Sequence, residues 1–414
     1  MIEPQILIIL VKVVIVIGGL MTAAAYFVLL ERRMAAWVQD RVGPNRVGAP
    51  LSQLNKSWKD LRLFGLGQPA ADGVKFILKE EYTPAHVDKR LFVLAPISIL
   101  VAALATFAVI PFGSVLPNGL FWDEPIDMAV SSGAGVGMLV VFALSSIAVY
   151  GVILGGWASN NKYSFLGALR SSAQLIAYEL PLGLGILGVI LATGSLDLDK
   201  IIAAQAETGW WFAFTQPLGF FVFFVAAFAE AARLPFDLPE CEQELIGGYH
   251  TEYAGIKLLL FLVAEFLHMI AASFLIVMLF FGGWHFWFIT GSEANPGWVH
   301  AILRIAVLMT KIFVVILFFM LVRWSWPRFR FDQLMAFAWK VMLPLGLINF
   351  VAIAVIDQVK TMSGDSIPGI DLMCAVAAWG VCIAAWVVIS FAGPLVADNL
   401  PRLDLDPFDV DSQI

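Results

Sequence analysis

Six carboxylates crowd into residues 228–255, between two long apolar runs of the chain. They are Glu230, Asp237, Glu240, Glu242, Glu244 and Glu252. Arg233 is present to balance them, and His250 could add a second cation. Carboxylates held close together cannot all ionise cheaply, so some of their pKa values should rise toward neutrality. Such groups suit proton uptake and transfer. The stretch is a candidate proton-handling site, and the alternative is a solvated acidic loop.

Two prolines predict how this acidic stretch runs. Pro235 and Pro239 are four residues apart, and each removes a backbone donor and breaks a helix. Irregular backbone at membrane depth is tolerated only against protein or a water-filled cavity. We therefore expect the loop to fold back into the protein. On a strand, Glu240, Glu242 and Glu244 would share one face, whereas on a helix Glu242 would point away. Both conformations remain open.

Charged residues also occur inside the apolar runs. Glu265 lies about ten residues, or about 15 Å, into the sixth run. His268 follows on the same face. Glu179 lies about a third of the way into the fourth run, Glu230 ends the fifth, and Lys311 is the only base expected to be strongly buried. A charge at the centre of a span costs about 2.5–3.5 kcal/mol. Since several acids compete for one base, function is favoured over structural ion pairs.

The composition indicates what positions these groups. The 414 residues are 60% hydrophobic and 14% charged, against about 25% charged in a soluble domain. The sequence therefore predicts an all-α integral membrane protein. A spanning helix needs about 20 apolar residues, and nine runs of this kind are present. They cover approximately residues 5–30, 91–112, 133–157, 172–193, 211–230, 255–283, 301–323, 335–357 and 370–392.

Lysine and arginine predict the orientation of the chain. Eleven of them fall in residues 31–90, and every second loop after that is also richer in basic residues. Basic loops stay in the cytoplasm, so the N-terminus should be periplasmic and the C-terminus cytoplasmic. We expect one polytopic domain. Its parts are a cytoplasmic loop at 31–90, an acidic loop at 231–254, a basic loop at 324–334, and a ninth helix with a tail at 358–414.

Part of the first cytoplasmic loop is amphipathic. SQLNKSWKDLRLFGL and ADGVKFILKE both alternate apolar and charged residues at helical spacing. Such segments can lie in the plane of the membrane interface. Anchoring at the lipid surface and lining a site are equally compatible with this pattern.

The cysteines predict little redox chemistry. Cys241, Cys374 and Cys382 form no CxxC pair, so we expect neither a disulfide framework nor a zinc or iron–sulfur site. An independent ion transporter remains a second functional class, with the acids binding ions. That class favours inverted repeats, and no internal repeat is visible in the sequence.

Several motifs together resemble a known family, the H subunits of proton-pumping NADH:quinone oxidoreductase (respiratory complex I). The motifs run in family order from the N-terminus to about residue 357. They are ERRMAAWVQDRVGPNRVG (31–48), QPAADGVKFILKE (68–80), LFVLAP (91–96), GWASNNKYSFLGALRSSAQLIAYE (156–179), AEAARLPFDLPECEQELIGGYHTEYAG (229–255) and WPRFRFDQLM (326–335). Looser resemblance extends to membrane subunits of membrane-bound hydrogenases and of F420H2 or ferredoxin oxidoreductases, which remain alternatives.

The resemblance implies roles for individual residues. Quinone binding would fall to Glu31, Arg32, Gln39, Arg41, Asp72, Lys75, Arg233, Asp237, Arg328 and Arg330. A proton path leaving that chamber would use Glu179, Glu230, Glu240, Glu242, Glu244 and Glu265. Quinone would be a substrate, and the chain would bind no flavin, metal or iron–sulfur cluster.

The resemblance also implies partners. Electrons would come from an iron–sulfur cluster in a peripheral-arm subunit docked on the cytoplasmic loops, and small membrane subunits and antiporter-like subunits would lie alongside. Two features depart from the family pattern. Residues 49–67 are longer than expected, which affects the choice of Asp72 over Asp60, and the ninth helix with its tail extends beyond shorter members.

Overall fold

The structure is a computed structural model that describes residues 4–48, 55–57, 64–117, 125–131, 135–237, 246–291, 296–363 and 370–391. Within these ranges the regular secondary structure is helical, apart from one isolated antiparallel β-bridge between Leu116 and Ile126. The first seven helices are α1 (Pro4–Val38), α2 (Gln68–Leu78), α3 (Lys89–Thr106), α4 (Gly137–Ala158), α5 (Lys162–Thr193), α6 (Leu198–Thr208) and α7 (Phe212–Thr215). The other seven are α8 (Pro217–Glu230), α9 (Gly255–Phe280), α10 (Trp287–Thr290), α11 (Trp298–Ser325), α12 (Phe331–Phe337), α13 (Leu343–Ser363) and α14 (Ile370–Phe391).

Helix length and apolar composition confirm the membrane character of the described chain. Eight helical segments in the described ranges are long and apolar enough to cross a membrane. One of them joins α12 and α13 through a π-helical turn, Ala338–Met342. Two single-turn elements, α7 and α10, and a 3-10 turn at Gly248–His250 occur between longer helices.

The fifth predicted span differs from the prediction. Residues 211–230 do not form one helix but two, α7 and α8, which are separated at Gln216. Pro217 begins α8 and has no N–H to continue the preceding helical turn. The 14 residues of α8 rise about 21 Å, which is less than the roughly 30 Å hydrocarbon core. The break follows from one proline that a hydropathy average does not register.

Side-chain caps set where two of the long helices begin. The Asn161 side chain accepts a hydrogen bond from the Tyr163 N–H at 3.0 Å, and α5 therefore begins ten residues before the predicted span. Asp88 caps α3 in the same way through the Arg90 N–H, at 3.1 Å. The start of α5 thus extends the helix that carries Glu179 beyond its apolar run.

Helix α9 is at the centre of the bundle and is the most deeply buried of the long helices. It contacts α3, α8, α11 and α1, while α5 packs against α4, α8 and α13. By contrast, α1 is mostly exposed and touches the bundle through α9 and α11. The amphipathic helix α2 lies against α1 and α9. Glu265 therefore lies on the most deeply buried of the long helices.

A close backbone approach brings the segment before α9 into the interior. A Cβ on Gly167 of α5 would lie 2.7 Å from the Gly248 Cα, so no side chain fits between them. Gly248 itself has φ +63°, a left-handed conformation that favours glycine. Together the two glycines place Tyr249 on the inner face of α5.

Candidate functional site

A large cavity opens where α1, α2, α9 and α11 meet, and its volume is about 740 Å³. We call it the charged chamber. Apolar side chains of α1 and α9 form much of its wall, among them Val28 and Leu262. Its charged lining residues are Glu31, Arg32, Arg41, Asp72, Arg233, Glu265 and Arg323.

Arg233 is the central cation of the charged chamber. It is 4% exposed and follows the end of α8. Its Nη1 lies 3.2 Å from a Glu31 carboxylate oxygen, and its Nε lies 3.1 Å from Glu265 Oε1. The guanidinium stacks over the Phe266 ring, 4.3 Å from the ring centre. Arg323 of α11 also pairs with Glu31. Two arginines thus balance two acids, and the ion pairs join α1, α9 and α11.

Asp72 of α2 forms a second, more exposed ion pair at the chamber wall. Its carboxylate lies 2.9 Å from Arg32 and 3.3 Å from Lys75, and the Gln68 amide donates to it at 3.1 Å. Partial burial alone would raise the pKa of Asp72. The hydrogen bond from Gln68 and the charges of Arg32 and Lys75 outweigh that effect and lower the pKa below its ordinary value.

Two loops next to the charged chamber are fastened to each other. Arg328 donates to the buried Asp237 at 3.2 Å, and the Phe329 N–H donates to the Pro235 carbonyl at 3.2 Å. From α5, Gln174 donates to the carbonyls of Ala229 and Phe236. Asp237 and Arg328 are not among the described lining residues of the chamber. Their contacts therefore hold in place the loop after α8 that carries Arg233.

A second, much smaller cavity of about 70 Å³ lies deeper between the helices. We call it the enclosed cavity with reference to its position between the helices α3, α4, α5 and α9 that line it. Its polar and titratable lining residues are Ser145, Ser171, Glu179, Glu230, Tyr249, Glu265 and His268. Glu179 accepts a hydrogen bond from the Ser146 hydroxyl, which lies beside the cavity on α4. The space is large enough to hold water, since a polar cavity needs only about 10–15 Å³ for one molecule. Glu265 lines both cavities.

The other predicted site residues are placed less centrally. Gln39 is exposed and is not among the described lining residues of either cavity, and Lys75 pairs with Asp72. Arg330 is exposed at the start of α12, where its backbone N–H donates to the Gln333 side-chain oxygen at 3.2 Å. Glu240, Glu242 and Glu244 lie outside the described residues. Their assigned roles stay predictions.

The prediction that Lys311 is the only strongly buried base is wrong, because Arg233 and Arg304 are each 4% exposed whereas Lys311 is only partly buried. Its ammonium does not meet the acids but donates to three backbone carbonyls beyond the end of α9, those of Phe281, Gly283 and His285, at 2.7–2.9 Å. Carbonyls past a helix end lack intrahelical donors, so they attract a cation. The buried cation that the acids share is Arg233.

Sequence reasoning also missed Arg323 as a site residue, because it was counted only as a basic loop residue that sets orientation. Its position in the last turn of α11 could have indicated a role at the chamber. Among the described residues, no three His, Cys, Asp or Glu side chains converge in a way that could hold a metal ion.

Fold and site together define a multi-pass helical membrane protein with a charged chamber next to an enclosed carboxylate cavity. The model of the NADH dehydrogenase family matches residues 11–354. The chain is 46% identical over 328 residues to an H subunit of the NADH-quinone oxidoreductase of Cytophaga hutchinsonii, covering 79% of this chain and 90% of that protein. It is 46% identical over 345 residues to NADH-quinone oxidoreductase subunit 8 of Thermus thermophilus, covering 83% and 86%.

A third relative, an H subunit of the NADH-quinone oxidoreductase of Koribacter versatilis, is 42% identical over 369 residues, which covers 86% of this chain and 98% of that protein. The chain therefore belongs to the NADH dehydrogenase family, among the H subunits of NADH-quinone oxidoreductase. It is a multi-pass protein of the bacterial inner membrane.

Proposed function

We propose that this chain forms much of the quinone-binding chamber of a proton-translocating NADH:quinone oxidoreductase and links quinone reduction to proton translocation through a carboxylate path. The observation that carries the proposal is that Glu265 lines both the charged chamber and the enclosed cavity. The names of the relatives support the choice of enzyme over a hydrogenase-type or ferredoxin-type assembly.

The size and lining of the charged chamber fit a quinone. Its volume of about 740 Å³ falls in the range of about 300–1,000 Å³ that is usual for small-molecule sites. Apolar walls would hold a ring and the start of a tail, and the arginines would face the quinone oxygens. The proposed quinone-site residues in the chamber lining are Glu31, Arg32, Arg41, Asp72 and Arg233, and those proposed to support it from outside the described lining are Gln39, Lys75, Asp237, Arg328 and Arg330.

Reduction of a quinone to a quinol consumes two electrons and two protons. We assign the electrons to a partner subunit with an iron–sulfur cluster. The negative charge that accumulates on the reduced quinone competes with Glu265 for Arg233, which lies 3.1 Å from Glu265. Two unit charges about 4 Å apart interact by about 4 kcal/mol at an effective dielectric constant near 20. When Glu265 loses its counter-charge, proton uptake by its carboxylate becomes favourable.

The proton would reach Glu265 from the enclosed cavity, where Glu230 and Glu179 share the same space. Water in a polar cavity of this size could bridge carboxylates that do not touch one another. The acidic stretch with Glu240, Glu242 and Glu244 completes the proposed path. The direction of net transfer depends on the partner subunits, so this chain alone is one segment of the route.

Orientation and assembly belong to the same proposal. With α7 and α8 counted as one crossing, nine crossings put the N-terminus in the periplasm and the C-terminus in the cytoplasm, in accordance with the basic loops. The peripheral-arm quinone-module and iron–sulfur subunits would dock on the cytoplasmic side. Small membrane subunits and antiporter-like subunits would flank the bundle in the membrane.

Glu265→Gln in the intact enzyme, reconstituted into proteoliposomes, tests the proposal. The amide keeps the shape but cannot cycle a proton, so quinone reductase activity and proton pumping should fall on the order of tenfold or more. The exposed Glu207→Gln of α6 is the matched control and should change neither.

Unchanged quinone reduction and unchanged pumping in Glu265→Gln would exclude the role assigned to Glu265. Ion flux through the purified single chain in liposomes would favour the independent transporter instead.

A further inference from the structure

A third cavity, an apolar cleft of about 770 Å³, lies between α1 and α11. We call it the outer cleft, because the charge bias of the loops assigns this end of the bundle to the periplasmic side. Helix α1 lines it from Lys12 to Phe27 at helical spacing, with Ile15, Val16, Gly19, Leu20 and Ala23 between them. Helix α9 adds Ile270 and Phe274 to the opposite wall.

The outer cleft is long enough to hold one lipid chain. From Lys12 to Phe27, α1 rises about 22 Å at 1.5 Å per residue. One leaflet of the hydrocarbon core is about 15 Å deep. Helix α1 is mostly exposed in this chain, so a lipid can reach the cleft from that side. A single acyl chain can therefore extend along the cleft, with the headgroup near Lys12.

The mouth of the outer cleft carries one charge of each sign. The Lys12 ammonium has three N–H donors, and within the described residues its one hydrogen bond is to the Ala129 carbonyl, at 3.1 Å. The exposed Asp127 lines the same cleft. Asp127 lies close enough to Asp199 of α6 to interact electrostatically with it. The Asp127 carboxylate therefore repels an anionic headgroup and attracts an ammonium group.

We propose that the outer cleft binds one zwitterionic phospholipid with a primary ammonium group, of the ethanolamine type. Its phosphate pairs with Lys12, its ammonium pairs with Asp127, and one acyl chain lies along α1. The lipid supports α1, whose inner half contributes Ala24 and Val28 to the charged chamber. Lipid binding in the outer cleft does not depend on the proposed function, whereas an effect of the lipid on quinone affinity rests on it.

Two neighbouring glycines of α1 give a matched pair of variants. A Cβ on Gly18 or on Gly19 would meet no atom within 4 Å, so both positions accept a larger side chain. Gly19 lines the outer cleft, whereas Gly18 is not among its described lining residues. Gly19→Leu therefore places a bulky side chain inside the cleft, and Gly18→Leu adds the same side chain to α1 outside it.

The experiment measures lipid retained by the purified intact enzyme after delipidation and exposure to vesicles of phosphatidylethanolamine, phosphatidylcholine or phosphatidylglycerol. Native mass spectrometry counts the bound lipids without requiring activity. Gly19→Leu should lose one tightly bound phosphatidylethanolamine that the wild type and Gly18→Leu keep. Equal retention in the two leucine variants would overturn the proposal.

Headgroup variants test the chemistry of the mouth. The wild type should retain phosphatidylethanolamine about tenfold better than phosphatidylglycerol, as expected for one charge-assisted hydrogen bond. Asp127→Asn should remove that preference, and Lys12→Ala should weaken the binding of all three phospholipids. Retention that is independent of the headgroup, or a quinone tail in place of the lipid, would overturn the assignment.

A fall in quinone affinity in Gly19→Leu but not in Gly18→Leu supports the effect of the lipid on α1. An unchanged quinone KM in Gly19→Leu overturns only that effect.

Discussion

The charged chamber and the enclosed cavity share Glu265 but hold their other acids in different ways. In the chamber, Glu31 and Glu265 both pair with the buried Arg233. In the enclosed cavity, Glu179 receives a hydrogen bond from the Ser146 hydroxyl. A carboxylate beside a guanidinium is stabilised in its charged form, whereas a hydroxyl can hydrogen-bond either protonation state of its partner.

The difference separates two tasks. Under the proposed function, the arginine-paired acids would fix geometry and charge around the bound quinone, since changing their protonation breaks an ion pair. A carboxylate hydrogen-bonded to a hydroxyl can exchange a proton without that cost. Glu265 lines both cavities, so under the proposed function it would be the residue at which a change of charge in the chamber becomes a change of protonation in the cavity. Substitutions in the two regions should therefore produce different failures.

Removal of the shared cation should have the largest effect. Arg233→Leu leaves Glu265 without its arginine and Glu31 with Arg323 alone. Breaking a buried ion pair from one side costs about 3–5 kcal/mol. We expect loss of quinone reductase activity and a lower unfolding temperature of the assembled enzyme, measured by activity in membranes and by a thermal shift.

Arg233→Lys and Arg90→Leu calibrate that result. Lysine keeps the charge but cannot reproduce the flat guanidinium that bonds two acids and stacks on Phe266, so we expect partial activity. Arg90 is exposed at the start of α3, and its loss should change little. Wild-type stability in Arg233→Leu would remove the distinction between the two regions.

Substitution of an acid in the enclosed cavity should cause a different functional defect from that of Arg233→Leu. Glu179→Gln breaks no ion pair within the described residues and keeps a partner for Ser146, so the fold and the chamber should persist. We expect proton translocation to fall about tenfold or more, with a smaller loss of quinone reduction in detergent. The ratio of protons moved to quinone reduced, in proteoliposomes, measures the effect. An equal loss of both activities would place Glu179 with the chamber residues.

Local signals explain which parts of the fold could be predicted. Every predicted span falls largely on helix, because a membrane demands long apolar runs that can be recognised without knowledge of neighbours. The break at Gln216 was missed because a single proline hardly changes an average over about 20 residues. The early start of α5 depends on one cap, the Asn161 side chain, which lies outside the apolar run.

The site depends on pairs that are far apart in sequence. Arg233 and Glu31 are separated by 202 positions, and no spacing rule connects them. Family motifs predicted that both residues line the chamber, but not that they pair. Lys311 was correctly read as a base within a span. Its partners are backbone carbonyls of the segment after α9, which residue types alone do not reveal.

The exposed ion pair of the chamber should give the smallest effect. Arg32 is 48% exposed, so its pair with Asp72 should contribute about 0–1 kcal/mol. Because the pKa of Asp72 is lowered, its charge stabilises the pair above its ordinary pKa and is lost only as the pH falls through the lowered value. Above about pH 5, Asp72 is therefore fully charged.

Asp72→Asn should raise the quinone KM by no more than about fivefold, uniformly with pH. Glu265→Gln should change the shape of the pH profile. A pH-dependent KM in the wild type that disappears in Asp72→Asn would assign proton exchange to the chamber wall and contradict the division between the two cavities.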